Sequence, residues 1–148
     1  MPEPNPLAED VLHKFLQINR FLRQYARQMS EQGVRPMEMA ILRFLLKTGP
    51  ATVGQVQSYV YRSPGTTSTV IASLEEAGYV TRTRSTEDNR VVVVALTPAG
   101  RDLAENTPLG GIALLRQRLG DLEEARLHLL AEALAEIMRL MEVTDNDE

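Results

Sequence analysis

The sequence predicts a mainly α chain with one small β-hairpin, organised as a single domain. Apolar residues recur at helical spacing over most of the 148 residues. Dense valine is confined to one place, where "YVTRTR" and "VVVVAL" flank a polar loop and read as two paired strands. Gly49-Pro50, Gly78 and Thr97-Pro98 fall between the periodic segments, where helices stop or start.

The first helix is expected over about residues 7 to 32. Val11, Phe15, Ile18, Leu22, Tyr25 and Met29 alternate spacings of four and three and so form one stripe. Leu12, Leu16 and Phe21 form a second stripe. A helix packed on one core needs only one apolar side, whereas a helix shared with a partner chain needs two. A short helix from Pro36 to about Lys47 follows, with proline at the first position and Gly49-Pro50 as its stop. "TVGQVQSYV" opens with Thr52 and Gln55 three residues apart, the spacing of a reciprocal capping box, and its Val53, Val56 and Val60 share a face. After the turn "YRS", Ser63 is expected to cap a helix that starts with Pro64. Its apolar side is Val70, Ile71 and Leu74, and Gly78 ends it. Two helices joined by a three-residue turn make a helix-turn-helix. The hairpin after it, with Ser85 to Arg90 as its tip, completes a winged helix-turn-helix.

Thr97 is expected to cap the next helix, with Pro98 at its first position. "NTPLGG", Asn106 to Gly111, should break that helix, since proline removes a backbone donor and glycine lowers propensity. Asp121 and Glu124 have capping-box spacing for a last helix. Leu122, Leu129, Leu130, Ala133, Leu134, Ile137, Met138 and Met141 give that helix a broad apolar face. The expected organisation is therefore one domain over 1–148. Its winged module spans about 36–100, between dimerisation helices at about 5–32 and 101–142.

Composition narrows the function classes. There is no cysteine, which excludes disulfides, thiolate metal sites and thiol redox sensing. His13 and His128 are far apart, and neither lies in a serine–acid constellation. No glycine-rich phosphate loop is present, so no metal, cofactor or catalytic activity is expected. No apolar run approaches the length of a bilayer span, and "MPEPNPLAED" does not resemble a signal peptide, so a cytoplasmic protein is expected. The net charge of −4 is unevenly spread: residues 1–101 carry +3 and residues 102–148 carry −7. The winged portion is thus free to meet an anionic partner.

The stretch "EEAGYVTRTRSTEDNRVVVVALTPAGRDL" resembles the MarR family of transcription regulators. Leu74, Gly78, the Asp88-x-Arg90 wing tip, Leu96, Thr97 and Gly100 stand at the family's spacing, and the resemblance extends over nearly the whole chain. It implies an intertwined homodimer that binds pseudo-palindromic promoter DNA, as a repressor released by a small, often aromatic or phenolic, ligand. The pocket residues are not assigned by it. The chain departs from the family in its recognition helix, "PGTTSTVIASLEEAG", which has no basic residue. That departure shifts weight to Arg62 in the turn, Arg82 and Arg84 on a wing strand, and Arg90 at the tip. Asp88 is expected to hold Arg90 for insertion into a minor groove. Thr66, Ser68 and Thr69 are expected to present hydroxyls to bases and phosphates, while Thr67 faces inward. Met37, Met39, Met138 and Met141 are read as packing residues. The alternative is a winged protein-interaction module that has lost DNA binding.

Overall fold

The computed structural model describes residues 3–62 and 64–144. Ser63, expected as a helix cap, and the acidic tail from Asp145 lie outside them. The order is α1 (Pro6–Glu31), α2 (Pro36–Thr48), β1 (Ala51–Thr52), α3 (Val53–Val60), α4 (Pro64–Glu76), β2 (Val80–Arg84), β3 (Val92–Leu96), α5 (Pro98–Asn106), α6 (Gly111–Gly120) and α7 (Glu124–Leu140).

Local chemistry accounts for the boundaries. The Asn5 side chain accepts from the Leu7 amide at 3.0 Å, so α1 begins one residue later with Pro6. The box at α3 is complete: the Gln55 amide donates to Thr52 Oγ1 (3.1 Å) and the Thr52 amide to Gln55 Oε1 (2.9 Å). Losing such a cap typically costs about 1 kcal/mol. The expected box at Asp121 does not form. Asp121 has helical backbone angles and its amide donates to the Arg118 and Leu119 carbonyls, so it ends α6 instead of starting α7. The last helix begins at Glu124 after Glu123, which makes no side-chain cap bond.

α2 runs through the centre of the winged module. Ile41, Leu42 and Leu45 are at most 1% exposed and meet Val56 of α3, Val70, Ile71 and Leu74 of α4, Val80 of β2 and Val94 of β3. Ala104 of α5 is buried in the same core, with Leu103 packed against it, so this core continues past residue 100. The sheet is antiparallel in the order β1-β3-β2, with Val80 opposite Leu96, Arg84 opposite Val92 and Ala51 opposite Val94. The hairpin was expected; the third, two-residue strand was not.

The Thr97-x-x-Gly100 signature has a tight physical role. Thr97 Oγ1 donates to the Gly78 carbonyl at 2.6 Å and accepts from the Gly100 amide at 3.1 Å, tying the start of α5 to the end of the recognition helix. A Cβ on Gly100 would stand 2.0 Å from the Tyr79 carbonyl oxygen, which is backbone and cannot swing aside. Gly100→Ala is therefore expected to destabilise the fold by about 3 kcal/mol, the upper end of ordinary overpacking. Chemical denaturation measures this, and a variant as stable as wild type would show that the wing and α5 are loosely joined.

The terminal helices leave broad apolar faces uncovered within one chain. Leu12, Leu16, Ile18 and Phe21 on α1 are 46–59% exposed, and Leu129, Leu134 and Met138 on α7 are 47–67% exposed. Among the described residues, no helix is long and apolar enough to cross a membrane.

Candidate nucleic-acid interface

α4 presents two chemically different sides. Thr67 is fully buried with Val70, Ile71 and Leu74, and its hydroxyl has no hydrogen-bond partner. Thr66, Ser68 and Thr69 face outward. The Thr69 hydroxyl donates back to the Gly65 carbonyl at 2.9 Å, leaving oxygen lone pairs and the methyl group to face a partner.

The wing tip is held by its own side chains. The Ser85 amide donates to the Val91 carbonyl (2.8 Å) and the Val91 amide to the Asp88 carbonyl (3.0 Å), closing the loop at its base. Arg84 Nη1 donates to the Asn89 carbonyl at 2.7 Å, bracing the loop from the strand. Asp88 then grips Arg90 at three points. Its Oδ1 accepts from the Arg90 amide (3.0 Å) and Nε (3.1 Å), and its Oδ2 from Nη2 (3.3 Å). The fork of hydrogen bonds from the Arg90 side chain, then the one from its backbone, holds the Asp88 carboxyl below the usual carboxylate range. A depressed value means that the clamp is intact at neutral pH and is lost only as pH falls through the lowered value. The Arg90 side chain is nevertheless 91% exposed, so it is both oriented and available.

Arg82 has a different setting. Its Nη2 (3.0 Å) and Nε (3.3 Å) donate to Glu75 Oε1, and its backbone amide donates to Glu75 Oε2 (3.2 Å). The side-chain bond from Arg82 lowers the Glu75 carboxyl below its ordinary range. This contact fixes the end of α4 against the wing, and Arg82 reaches the surface with its charge already matched. Glu75 is the residue that sequence reasoning missed. No local spacing connects it to Arg82, because only the turn of the chain at Gly78 brings the two together.

Ser68, Arg82 and Arg90 line one open groove of about 530 Å³, floored by Val91 and Val92 and bordered by the start of α3 at Thr52–Gly54. Arg84 shares the neighbouring depression with Arg82 and Thr83. Arg62 is exposed in the turn before α4, outside both. The fold thus gathers Ser68 of the helix and the wing arginines Arg82 and Arg90 along one groove, with Arg62 exposed ahead of the helix.

A second feature lies behind this surface. A pocket of about 240 Å³ opens between α1, α2, the end of α3 and the start of α6. Its walls are apolar side chains, including Leu22, Met29 and Ile112, together with Tyr25 and Tyr59, and its only charged groups are Arg43 and Arg116. Gly110 and Gly111 let α6 approach α1, since a Cβ on either would stand within 2.8 Å of the Tyr25 ring. Met39, read from sequence as packing, is 1% exposed and also forms part of this wall.

Comparison with known proteins agrees with this fold. The model of the MarR family matches residues 35–92, which is the winged module through the wing tip. The chain is 30% identical over 99 residues to the uncharacterised HTH-type transcriptional regulator YwhA of Bacillus subtilis, covering 67% of this chain and 69% of that one. It is 26% identical over 117 residues to the HTH-type transcriptional repressor MdtR of the same organism, covering 79% and 76%. In structure it resembles MepR of S. aureus, solved as a DNA complex, with a TM-score of 0.63 and 20% identity over 87% of this chain and 96% of that one.

Proposed function

As the chain belongs to the MarR family, we propose that it regulates transcription by binding double-stranded DNA as a homodimer, repressing pseudo-palindromic promoter sites until a small ligand releases it. The observation that carries this reading is the wing tip: an exposed arginine that donates three hydrogen bonds to one aspartate, in the same groove as Ser68 of α4. A solvated ion pair has no need of a backbone bond as well as a side-chain fork. A group that must enter a narrow groove benefits from losing little rotamer freedom there.

The hydroxyls of Thr66, Ser68 and Thr69 then meet bases and phosphates in the major groove, and Arg62 and Arg84 supply phosphate charge. Arg82 mainly positions α4 through Glu75. The repressor sense follows the name of MdtR, and the DNA partner follows the MepR complex. Dimerisation is supported by the uncovered apolar faces of α1 and α7.

Release requires a ligand that prefers the DNA-incompatible arrangement, since equal affinity for both arrangements shifts nothing. A tenfold loss of DNA affinity corresponds to about 1.4 kcal/mol of coupling. The apolar, tyrosine-walled pocket suits a small aromatic or phenolic molecule, and the absence of cysteine excludes thiol oxidation as the trigger.

A gel shift with the DNA upstream of the protein's own gene tests the proposal. A discrete complex that weakens as salt rises is expected. No complex at low salt would favour a winged protein-interaction module, the reading that the arginine-free α4 otherwise supports. Asp88→Ala should weaken the complex less than Arg90→Ala does and leave thermal unfolding unchanged, because Asp88 orients the arginine without carrying the contact. An Asp88→Ala variant that binds no better than Arg90→Ala would give Asp88 a larger role.

A further inference from the structure

We propose that Tyr61 positions the protein on DNA: its phenol hydroxyl donates to a backbone phosphate beside the major groove, and its strained backbone is kept for that contact. This role rests on the DNA reading above and adds to it an uncharged residue. Tyr61 follows the last turn of α3 and stands three positions ahead of Pro64, where α4 begins. It is 78% exposed, the most of any large hydrophobic residue among those described. Its φ of 54° is left-handed, at the position that ends α3. Glycine takes that conformation freely, whereas a side chain is crowded in it. The Tyr61 amide donates to the Gln57 carbonyl at 3.1 Å, a bond that glycine would make equally well. The turn therefore does not need a tyrosine for its own geometry.

Tyr59, two residues earlier, is the contrast. Its ring is stacked at 4.5 Å on Phe44 of α2, and the Arg116 guanidinium lies 3.8 Å from its centre. The same guanidinium is 5.8 Å from the Tyr61 ring, at the outer limit of a cation–π contact. Packing accounts for Tyr59 and leaves Tyr61 unexplained. A non-glycine residue held in left-handed backbone, with little burial to offset it, is the kind of strain that gathers at functional sites.

In a helix-turn-helix the first helix crosses the sugar–phosphate backbone and the N-terminus of the second enters the major groove. The turn between them passes that backbone, and here it presents Tyr61 and Arg62 side by side, both exposed. A phenol hydroxyl hydrogen-bonds phosphate oxygens, and the apolar body of the ring covers the adjoining sugar. No residue of α4 is basic, so its depth and angle in the groove must be set from outside the helix. Arg90 does this from the wing, and Tyr61 from the turn.

Binding of the full-length protein to the DNA upstream of its own gene, titrated over a range of salt, tests the assignment. Tyr61→Phe keeps the ring and loses only the hydroxyl. It should bind about tenfold more weakly, as for a lost hydrogen bond to a charged acceptor, with the salt slope of wild type because no charge is removed. It should also sediment as wild type does. Tyr61→Gly should bind at least as weakly and yet unfold at a temperature about 3 °C higher, because the left-handed strain is relieved. Opposite changes in affinity and stability mark a residue kept for DNA and not for the fold. Wild-type affinity in Tyr61→Phe, altered sedimentation, or a loss of stability in Tyr61→Gly would overturn the proposal. No wild-type complex at low salt would sink the DNA reading and this role with it, whereas a wild-type complex indifferent to Tyr61→Phe removes this role alone.

Discussion

Deleting residues 1–30 is expected to give an insoluble or unfolded product, and Leu16→Glu and Leu134→Glu are expected to split a dimer. In an isolated chain both leucines are already about half exposed, at 46% and 58%. A polar substitution at such a position ordinarily changes stability by no more than about 0.5 kcal/mol. Between two chains the exposed half of each leucine would be covered, worth about 1 kcal/mol per side chain, a carboxylate there would lose its water, and a symmetric interface contains each position twice. The effect of the two substitutions therefore separates the two cases. Sedimentation should show wild type as a dimer at micromolar concentration, with each variant shifted towards monomer or aggregate. A stable, folded wild-type monomer would remove the dimer from the account, since uncovered faces of this extent are uncommon on soluble monomers.

Arg90→Ala should lower operator affinity by roughly 1–3 kcal/mol, tenfold or more, and reduce the salt dependence by about one ion. The variant loses a charge near phosphate and a group preset for the minor groove, while the wing itself is held by Arg84, Ser85 and Val91 and should stay folded. Minor-groove readout mainly separates A·T from G·C, so preference for A·T-rich flanks should fall more than preference within the half-site. Lysine at this position should restore only part of the loss, because it lacks the planar fork that Asp88 engages. Affinity and salt slope equal to wild type would reduce the wing to a plain hairpin.

The parts of this molecule that were legible in sequence are those set by neighbours in the chain. Thr52 and Gln55 interact within three residues, so spacing alone exposes them, while Thr97 with Gly100 and Asp88 with Arg90, equally close in the chain, stand in the stretch that carries the family resemblance. Helical periodicity likewise shows which side of α1 or α7 is apolar. Periodicity does not show which element a face meets. Arg116 reaches Tyr59 across 57 positions and Arg43 reaches Thr107 across 64, and neither pair leaves a trace in local pattern. The two residues of β1 are too short to show alternation and exist as a strand only because β3 offers a free edge. Asp121 had the correct spacing and still failed as a cap, because α6 ran far enough to claim its backbone.

In the proposed complex, two winged modules set by one dimer read DNA through α4 and the tip at Arg90. Hydroxyl-radical footprinting on the DNA upstream of the protein's own gene is the decisive experiment. Two protected patches are expected on one face of the duplex, their centres about one helical turn or roughly 34 Å apart, each with an outer flank whose protection is lost in Arg90→Ala. A single patch, or uniform cutting at a salt concentration where the protein is bound, would contradict it.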